Sequence, residues 1–254
     1  MDSQRAFICQ TTGVLIKSKM PVKLSKTFCI GDIHGSYKGL IQALDRCNFD
    51  KQNDRLICIG DVADGWPEVS ECIEELLSIK HLIPILGNHD FWLKNYLEFG
   101  YQPEIWLKQG GQASFDNYIK NTTLKIKHLE MYFSKCVLYY IDENQNAYLH
   151  GGYASKSGLG TDSPDTYMWD RSLWEKAKSA APGRKFLKMT KMYNKVFIGH
   201  TSIGNTTPQK NCNVWNLDTG GGWEGKITIM NVDNEAYWQS DKCSSLYPEI
   251  AGRG

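Results

Sequence analysis

The sequence lacks any long apolar run. No stretch of its 254 residues approaches the roughly eighteen consecutive apolar residues that a membrane-spanning helix requires. Residues 1–19 contain only a short apolar patch, interrupted by Gln10 and Thr11, where a secretory signal would have a long apolar segment. We therefore expect a protein that does not associate with a membrane and that resides in the cytoplasm.

Paired cysteines and a strong net charge are also missing. The eight cysteines are scattered and form no C-x-x-C pair, which argues against a zinc–thiolate site and favours a reducing compartment. The 29 basic and 28 acidic residues leave a formal net charge of +1. Because the charges nearly cancel, we expect no general electrostatic binding of nucleic acid, although a local patch is not excluded.

Three short apolar runs in the first third of the chain each end at a glycine. The runs TFCIGD, RLICIGD and HLIPILGN end at Asp32, Asp61 and Asn88, and their length and Ile/Leu content predict buried strands. Apolar residues at helical spacing over residues 37–47 and 67–79 predict a helix between successive strands. This β-α-β-α-β order favours a parallel sheet with right-handed crossovers.

The rest of the chain predicts further helices and strands. Residues 91–135 are aromatic and largely helical in pattern, with a break at Gly110-Gly111, and a helix is predicted over residues 167–180. Strands are predicted for CVLYYID, NAYLHGG, KVFIGH, VWNLDTG, KITIMNVD and EAYWQ, the last four with antiparallel neighbours. We interpret residues 1–254 as one domain with a helical insertion at roughly 91–135, in which residues 1–25 form an edge strand or a loose segment.

Histidine is scarce, and its placement is selective. Four of the six histidines stand beside glycine at the end of an apolar run: His34, His89, His150 and His200. Loops after parallel strands converge at one edge of a sheet, and glycine allows a close approach of the backbone. One such histidine alone is more often a hydrogen-bonding loop residue, but four in like settings point to a metal site.

Acidic and amide residues in the same loops extend this hypothesis. Imidazole, carboxylate and amide oxygen together suit Mn, Fe or Zn. A carboxylate has two oxygens, so Asp61 can bridge two ions, and such a pair activates water and neutralises a transferring phosphoryl group. His81 and His128 lack this setting and are predicted to be surface or packing residues.

Five motifs, taken in order, resemble a known family. The motifs are G-D-I-H-G (31–35), G-D-V-A-D-G (60–65), G-N-H-D (87–90), L-H-G-G (149–152) and G-H-T (199–201). They are similar to those of the metal-dependent phosphoprotein phosphatases of bacterial or phage type, which are calcineurin-like metallophosphoesterases. Residues 217–241 resemble the end of bacterial and phage members, including the diadenosine tetraphosphatase branch. Many related phosphodiesterases read G-H-x-H where this chain has Ser202, which favours the monoester branch. The resemblance implies an α/β fold, a two-sheet β sandwich flanked by helices with a helical insertion.

The resemblance also implies roles for individual residues. Two divalent metal ions would be bound, with manganese favoured in vitro and iron or zinc as alternatives, and a metal-bridging hydroxide would attack phosphorus directly. The implied ligands are Asp32 and His34 for the first ion, Asp61 for both, and Asn88, His150 and His200 for the second. His89 would be the general acid, with Asp64 holding its other ring nitrogen, and Asn88 would also contact the substrate.

The sequence departs from the family pattern at two points. The family places a phosphate-binding arginine directly after the position of Asp64, whereas this chain has Gly65, so a bidentate donor is missing. Arg171 is the candidate for the remaining substrate-binding arginine, and the alternative is a solvated helix residue. Asp90 stands where the eukaryotic phosphatases usually have glutamate, and we predict that it supports the site from behind, toward a metal-bound histidine.

Five tryptophans admit two interpretations. They can form a stacking surface for a base or an aromatic side chain, or they can be packing residues, which is the more common use of aromatics at helical spacing. The residues concerned are Trp66, Trp92, Trp106, Trp169 and Trp174. We favour packing.

These observations lead to three hypotheses of function. The first is a dimetal-dependent phosphomonoesterase, a serine/threonine protein phosphatase-like hydrolase that acts on phosphorylated proteins. The second is a nucleotide-directed phosphohydrolase that acts on a dinucleoside polyphosphate, a cyclic nucleotide or a terminal nucleic-acid phosphate. The third is a binding module without activity, which predicts the loss of a ligand or of the acid, and the sequence has lost neither.

Overall fold

The computed structural model describes residues 25–204 and 207–253. The edge strand or loose segment predicted for residues 1–25 therefore lies outside the described residues, apart from residue 25 itself. The described chain forms two five-stranded sheets with helices on their outer faces.

The first sheet contains the three predicted parallel strands. Its strands, in sheet order, are β10 (Tyr237–Gln239), β9 (Thr228–Asn231), β1 (Thr27–Ile30), β2 (Arg55–Cys58) and β3 (His81–Pro84). Strands β1, β2 and β3 run parallel, with Ile30 opposite Cys58 and Cys58 opposite Pro84. Strand β9 is antiparallel to β1 and to β10, as predicted for the tail. The carboxyl ends of three parallel strands thus lie side by side at one edge.

The second sheet is mixed. Its strands, in sheet order, are β4 (Tyr139–Ile141), β5 (Ala147–Leu149), β6 (Val196–Ile198), β8 (Val214–Asn216) and β7 (Gln209–Asn211). Strands β5, β6 and β8 are parallel, so the antiparallel setting predicted for β6 was wrong, and for β8 it holds only on the β7 side. The reason is that the long connection from β5 to β6 crosses over through two helices, which returns the chain in the same direction.

The two sheets face each other across a shared apolar layer. Cys29, Ile57 and Met230 of the first sheet lie in one buried cluster with Tyr148 and Phe197 of the second. The Tyr148 and Phe197 rings stack with their centroids 5.0 Å apart. Alternate residues of the strands point to the outer faces, where helices cover them. The predicted two-sheet sandwich flanked by helices is confirmed.

The first two helices occupy the positions that their apolar spacing predicted. Helix α1 (Tyr37–Arg46) buries Leu40, Ala43 and Leu44, and α2 (Val69–Leu77) does the same with its own apolar stripe. The aromatic middle segment contains α3 (Asn88–Phe99), α4 (Glu104–Trp106), a kinked turn (Leu107–Gly111) at the break predicted for Gly110-Gly111, α5 (Gln112–Tyr118), α6 (Thr122–Met131) and a 3-10 turn (Phe133–Lys135).

The helix predicted over residues 167–180 is in fact two helices. Helix α7 (Pro164–Trp169) ends at Asp170, which has the extended dihedral angles φ −68° and ψ 131°, and α8 (Ser172–Lys178) follows. The Asp170 carboxylate accepts hydrogen bonds from the Ser172 hydroxyl and the Leu173 N–H. A short side-chain acceptor that binds a free amide of the first turn starts a new helix, so the apolar period continues while the helix does not. Strand β7 and helix α9 (Cys243–Leu246) were not predicted.

The two histidines outside the glycine turns behave as predicted. His81 begins β3 and is half-buried. His128 is buried in the helical segment, where its Nδ1 accepts from the Tyr118 hydroxyl (2.6 Å) and its Nε2 donates to Glu74 Oε1 (2.9 Å). Among residues 25–204 and 207–253, no helix has the length and apolar content that a membrane crossing requires.

Candidate metal centre

The glycine-punctuated turns meet at one edge of the sandwich. Asp32 and His34 follow β1, Asp61 follows β2, Asn88 begins α3 after β3, and the second sheet contributes the residues after β5 and β6. Several turn residues have positive φ: His34 (50°), Asp61 (51°), Asp64 (70°) and His200 (63°). Non-glycine residues occupy this left-handed region at a cost in strain, and such strain clusters at functional sites.

Glycine allows two pairs of these turns to approach each other closely. A Cβ on Gly87 would lie 2.2 Å from Asp61 Oδ1, and a Cβ on Gly199 would lie 2.1 Å from Asp32 Oδ1. Both distances are far inside van der Waals contact. The glycine in G-N-H-D and the glycine in G-H-T are therefore required so that the neighbouring carboxylates can occupy the centre.

The first donor cluster consists of Asp32, His34 and Asp61, whose ligand atoms all lie within 4.8 Å of one another. His34 Nε2 is 3.6 Å from Asp61 Oδ2 and 4.0 Å from Asp32 Oδ2. The other ring nitrogen, Nδ1, donates to the Ala63 carbonyl oxygen at 3.0 Å. This bond places the proton on Nδ1 and leaves the Nε2 lone pair directed at the carboxylates, as a metal ligand needs.

The second donor cluster consists of Asp61, His150 and His200. His150 Nε2 lies 3.2 Å from Asp61 Oδ1 and 3.0 Å from Asn88 Oδ1, while its Nδ1 donates to the Ile59 carbonyl oxygen at 2.8 Å. The His150 and His200 rings are 5.0 Å apart between centroids. Asp61 belongs to both clusters and turns one oxygen toward each.

The charges of the two clusters favour a bound cation. Burial, and then the nearby Asp218 carboxylate, raises the pKa of Asp32 well above its ordinary value. Burial opposes a charged His150, yet the Asp61 carboxylate raises the pKa of His150 to about 9. Buried carboxylates close to one another are costly unless a cation compensates them. The buried set of carboxylate, imidazole and amide donors fits two divalent ions of the Mn, Fe or Zn type.

His89 lies beside the clusters and pairs with Asp64. Its Nδ1 is 2.6 Å from Asp64 Oδ2, which also accepts from the Trp106 indole N–H at 2.8 Å, and the Ser114 hydroxyl donates to Asp64 Oδ1 at 2.6 Å. Burial raises the pKa of Asp64 to about 8 and lowers the pKa of His89 to about 3. The Trp106 and Ser114 donors orient the carboxyl group, which in turn holds the His89 ring in one position.

Asp90 has partners other than the one predicted. Its carboxylate accepts hydrogen bonds from the backbone N–H groups of Val62 (2.9 Å), Ala63 (3.0 Å) and Gly87 (3.1 Å). The predicted supporting role behind the site is seen, but it acts through these backbone amides and not through a histidine, because the turns after β2 and β3 present free amides that need an acceptor. Asp90 therefore fastens the two turns that carry Asp61 and Asn88.

Arg171 lies in the short turn between α7 and α8, where it is exposed. Its Nη1 donates to the His200 carbonyl oxygen at 2.9 Å. The side chain is thus exposed, as in the alternative of a solvated residue, and is at the same time tied to the turn that carries His200 of the second cluster.

Sequence reasoning missed several residues at the centre. Ser114 holds Asp64, Asp218 adds a buried negative charge near Asp32, and Arg253 brings its Nη1 to 3.3 Å from His34 Nε2. None of the three stands beside a glycine–histidine turn. The one signal in the sequence concerned Arg253: Gly65 stands where the family has an arginine, and this leaves space beside the first cluster.

The tryptophans divide into two groups. Trp66, Trp106 and Trp174 are buried, and for them the packing interpretation is confirmed. Trp92 lies against His89, and Trp169 lies against Trp92, each pair with centroids 5.0 Å apart. A further tryptophan, Trp223, has its ring centroid 6.4 Å from that of His34. Trp169 and Trp223 are 38% and 39% exposed, so the centre has a partly open aromatic rim.

Comparison with known proteins relates this chain to a protein family. A family model for calcineurin-like phosphoesterases matches residues 25–219. Serine/threonine-protein phosphatase 1 of Salmonella typhimurium is 25% identical over 211 residues, which cover 80% of this chain and 90% of that protein. The symmetrical bis(5'-nucleosyl)-tetraphosphatase of Pseudomonas fluorescens is 25% identical over 293 residues, covering 87% and 96%. The same-named protein of Coxiella burnetii is 37% identical over 78 residues, only 26% of its length.

Solved structures agree at the level of the fold. A structure provisionally assigned as a diadenosine tetraphosphatase matches with a TM-score of 0.63 at 16% sequence identity, covering 87% of this chain and 95% of that one. The family model spans most of the chain and includes all five motifs. The chain therefore belongs to the calcineurin-like phosphoesterases, a family of metal-dependent hydrolases of phosphate esters.

Proposed function

We propose that the protein is a two-metal phosphomonoesterase that hydrolyses phosphoserine- and phosphothreonine-type esters of proteins. The observation that carries this proposal is the position of Asp61, which is shared by both donor clusters and lies next to the His89–Asp64 pair. A pair of divalent cations bound there would supply Lewis-acid polarisation of phosphoryl oxygens and activation of water.

The chain's own residues have distinct roles in this proposal. The first ion would be held by Asp32, His34 and Asp61, and the second by Asp61, Asn88, His150 and His200. His89 gives the proton on Nε2 to the leaving oxygen while its Nδ1 takes up a proton from the Asp64 carboxyl group, whose hydrogen bond to Nδ1 also fixes the ring. Asn88 and Arg171 orient the phosphoryl group, and Arg171 does so from the side of the second cluster.

We further propose that residues 1–254 act as one domain in the cytoplasm, with residues 91–135 as an insertion. The insertion contributes Ser114 and Trp106, both of which hold Asp64. Because the insertion orients Asp64, the partner of the general acid, it contributes to catalysis as well as to packing. The described cysteines are free, which suits a reducing compartment.

A second candidate function, hydrolysis of a dinucleoside polyphosphate, is favoured by the aromatic rim. Trp169 and Trp223 are partly exposed, Trp169 beside His200 of the second cluster and Trp223 near His34 of the first. Indole rings in such positions stack on nucleobases, each with about 1–3 kcal/mol of binding. The curated relatives include both a protein phosphatase and tetraphosphatases.

A substrate panel separates these two candidates. The Mn-loaded protein is assayed on phosphoserine and phosphothreonine peptides, diadenosine tetraphosphate, 2′,3′-cyclic nucleotides and a 5′-phosphorylated oligonucleotide. The proposal predicts the highest kcat/KM on the phosphopeptides and no more than about a tenfold change in it for Trp169→Ala, because a phosphopeptide has no base to stack.

The reverse pattern would overturn the first candidate in favour of the second. It consists of the highest kcat/KM on diadenosine tetraphosphate, together with a KM for that substrate that rises more than about tenfold in Trp169→Ala and not in the buried control Trp174→Phe. Turnover of none of these substrates with two manganese ions bound would contradict both candidates.

A further inference from the structure

The segment 251–253 brings a cationic side chain into the metal centre. The Arg253 N–H donates to the Gly222 carbonyl oxygen at 2.9 Å, which fixes the backbone next to the turn after β8. The side-chain stem then passes three glycines. A Cβ on Gly65 or Gly110 would lie 3.2 or 2.8 Å from Arg253 Cγ, and a Cβ on Gly222 would lie 3.0 Å from its Cδ. Larger residues at these positions would narrow or close the passage.

The Arg253 guanidinium forms few hydrogen bonds with the protein, and those it forms are long. Its Nη1 is 3.3 Å from His34 Nε2, and its Nη2 donates to Gln109 Oε1 over a long 3.4 Å. Its Nε is buried without a hydrogen-bond partner, and the group forms no ion pair with a carboxylate in the described part of the chain. The Trp223 ring lies beneath it, 4.5 Å from the guanidinium carbon.

The Arg253 guanidinium has unused hydrogen-bond donors and a positive charge, so it can bind an anion at this position. The half-buried Arg253 side chain forms no close ion pair, although the Asp64 and Asp218 carboxylates interact with it at longer range, and its guanidinium offers a planar fork of donors that matches phosphate. The position after Asp64, where the family resemblance implies an arginine, is Gly65, and the Arg253 stem crosses that glycine. The guanidinium thus enters the centre from the side of the first cluster, whereas Arg171 approaches from the side of the second.

We propose that Arg253 is a phosphate-binding residue, which reaches the centre from a remote segment and takes the place of the arginine missing at Gly65. This inference rests on the proposed function, since it assigns a further contact to the same phosphoryl group. It also predicts that the two arginines act on the phosphoryl group from opposite sides.

Calorimetric titration of inorganic phosphate into the Mn-loaded full chain tests this assignment without relying on turnover. Arg253→Gln is expected to weaken phosphate binding about 10- to 100-fold, because a charge-assisted pair of hydrogen bonds is lost. Arg253→Lys should fall between Gln and wild type, since it keeps the charge and loses the fork. Arg184→Ala, the removal of an exposed arginine whose Nε donates to the Phe186 carbonyl oxygen, is the control and should bind phosphate as wild type does.

Two accompanying measurements separate phosphate binding from a structural role. The Arg253 variants should keep two manganese ions and an unchanged melting temperature, and added methylguanidinium should restore phosphate affinity in Arg253→Ala. Wild-type phosphate affinity in Arg253→Gln would overturn the assignment and leave the proposed function standing. Tighter manganese binding in Arg253→Gln with unchanged phosphate affinity would overturn it too. The guanidinium would then only compete with the metal ion for His34 Nε2. Absence of phosphate binding by the Mn-loaded wild type would overturn both proposals.

Discussion

Replacement of Asp61 by asparagine is expected to reduce turnover by about 10³-fold or more, and to reduce the number of bound metal ions below two. Asp61 is the one residue common to both donor clusters in the described chain, with Oδ2 3.6 Å from His34 Nε2 and Oδ1 3.2 Å from His150 Nε2. Asparagine keeps the shape but has a single neutral oxygen, so it cannot bridge two cations. Loss of metal-ion stabilisation removes several kcal/mol from the transition state, and each 1.36 kcal/mol is a factor of ten in rate.

Elemental analysis and steady-state turnover on the same preparation provide the measurement. Asp54→Asn is the matched control, because Asp54 is also buried but lies at the amino end of β2, away from the centre. This variant should retain two ions and wild-type turnover. If Asp61→Asn kept two ions and turned over within tenfold of wild type, Asp61 would not be the shared ligand.

Replacement of His89 by asparagine is expected to lower kcat on an alkyl phosphate by about 10²- to 10⁴-fold, the usual contribution of a general acid. Metal content should not change, because His89 Nδ1 is bound to Asp64 and no ligand of either cluster is removed. The effect should be much smaller on 4-nitrophenyl phosphate. A nitrophenolate leaves without being protonated, so the acid contributes little to that reaction.

The comparison of the two leaving groups is what identifies the acid. A His89→Asn protein with equal losses on both substrates would instead indicate a role in binding or positioning. The control is His81→Asn, which alters a half-buried histidine at the opposite end of β3 and should leave both rates unchanged. Equal activity of His89→Asn and wild type on the alkyl phosphate would rule out the acid assignment.

The parts of the fold and the centre that depend on local pattern were predictable from the sequence. Each of the first three strands is a short apolar run that ends at a glycine, and the polar residues that follow meet because parallel strands end at one edge. The placement of His34 follows from that rule, whereas His150 and His200 were indicated by their glycine setting alone, because the parallel direction of β6 was not predicted.

The contacts between residues that are far apart in sequence were not predictable. Ser114 stands in the middle of a helical segment, and nothing in its neighbourhood indicates that its hydroxyl meets Asp64. Arg253 reaches the centre only because Gly65, Gly110 and Gly222 leave a path, and these glycines are distant from one another in sequence. The division of the helix at Asp170 depends on one side-chain cap, which hydrophobic periodicity does not register.

The presence of two cations that share Asp61 is tested most directly by anomalous scattering from crystals grown with saturating manganese. The account predicts two manganese peaks roughly 3.5–4 Å apart, with the Asp61 carboxylate between them. Asp32 and His34 should lie at one peak, and Asn88, His150 and His200 at the other. A single peak, or no peak within reach of these side chains, would contradict the account.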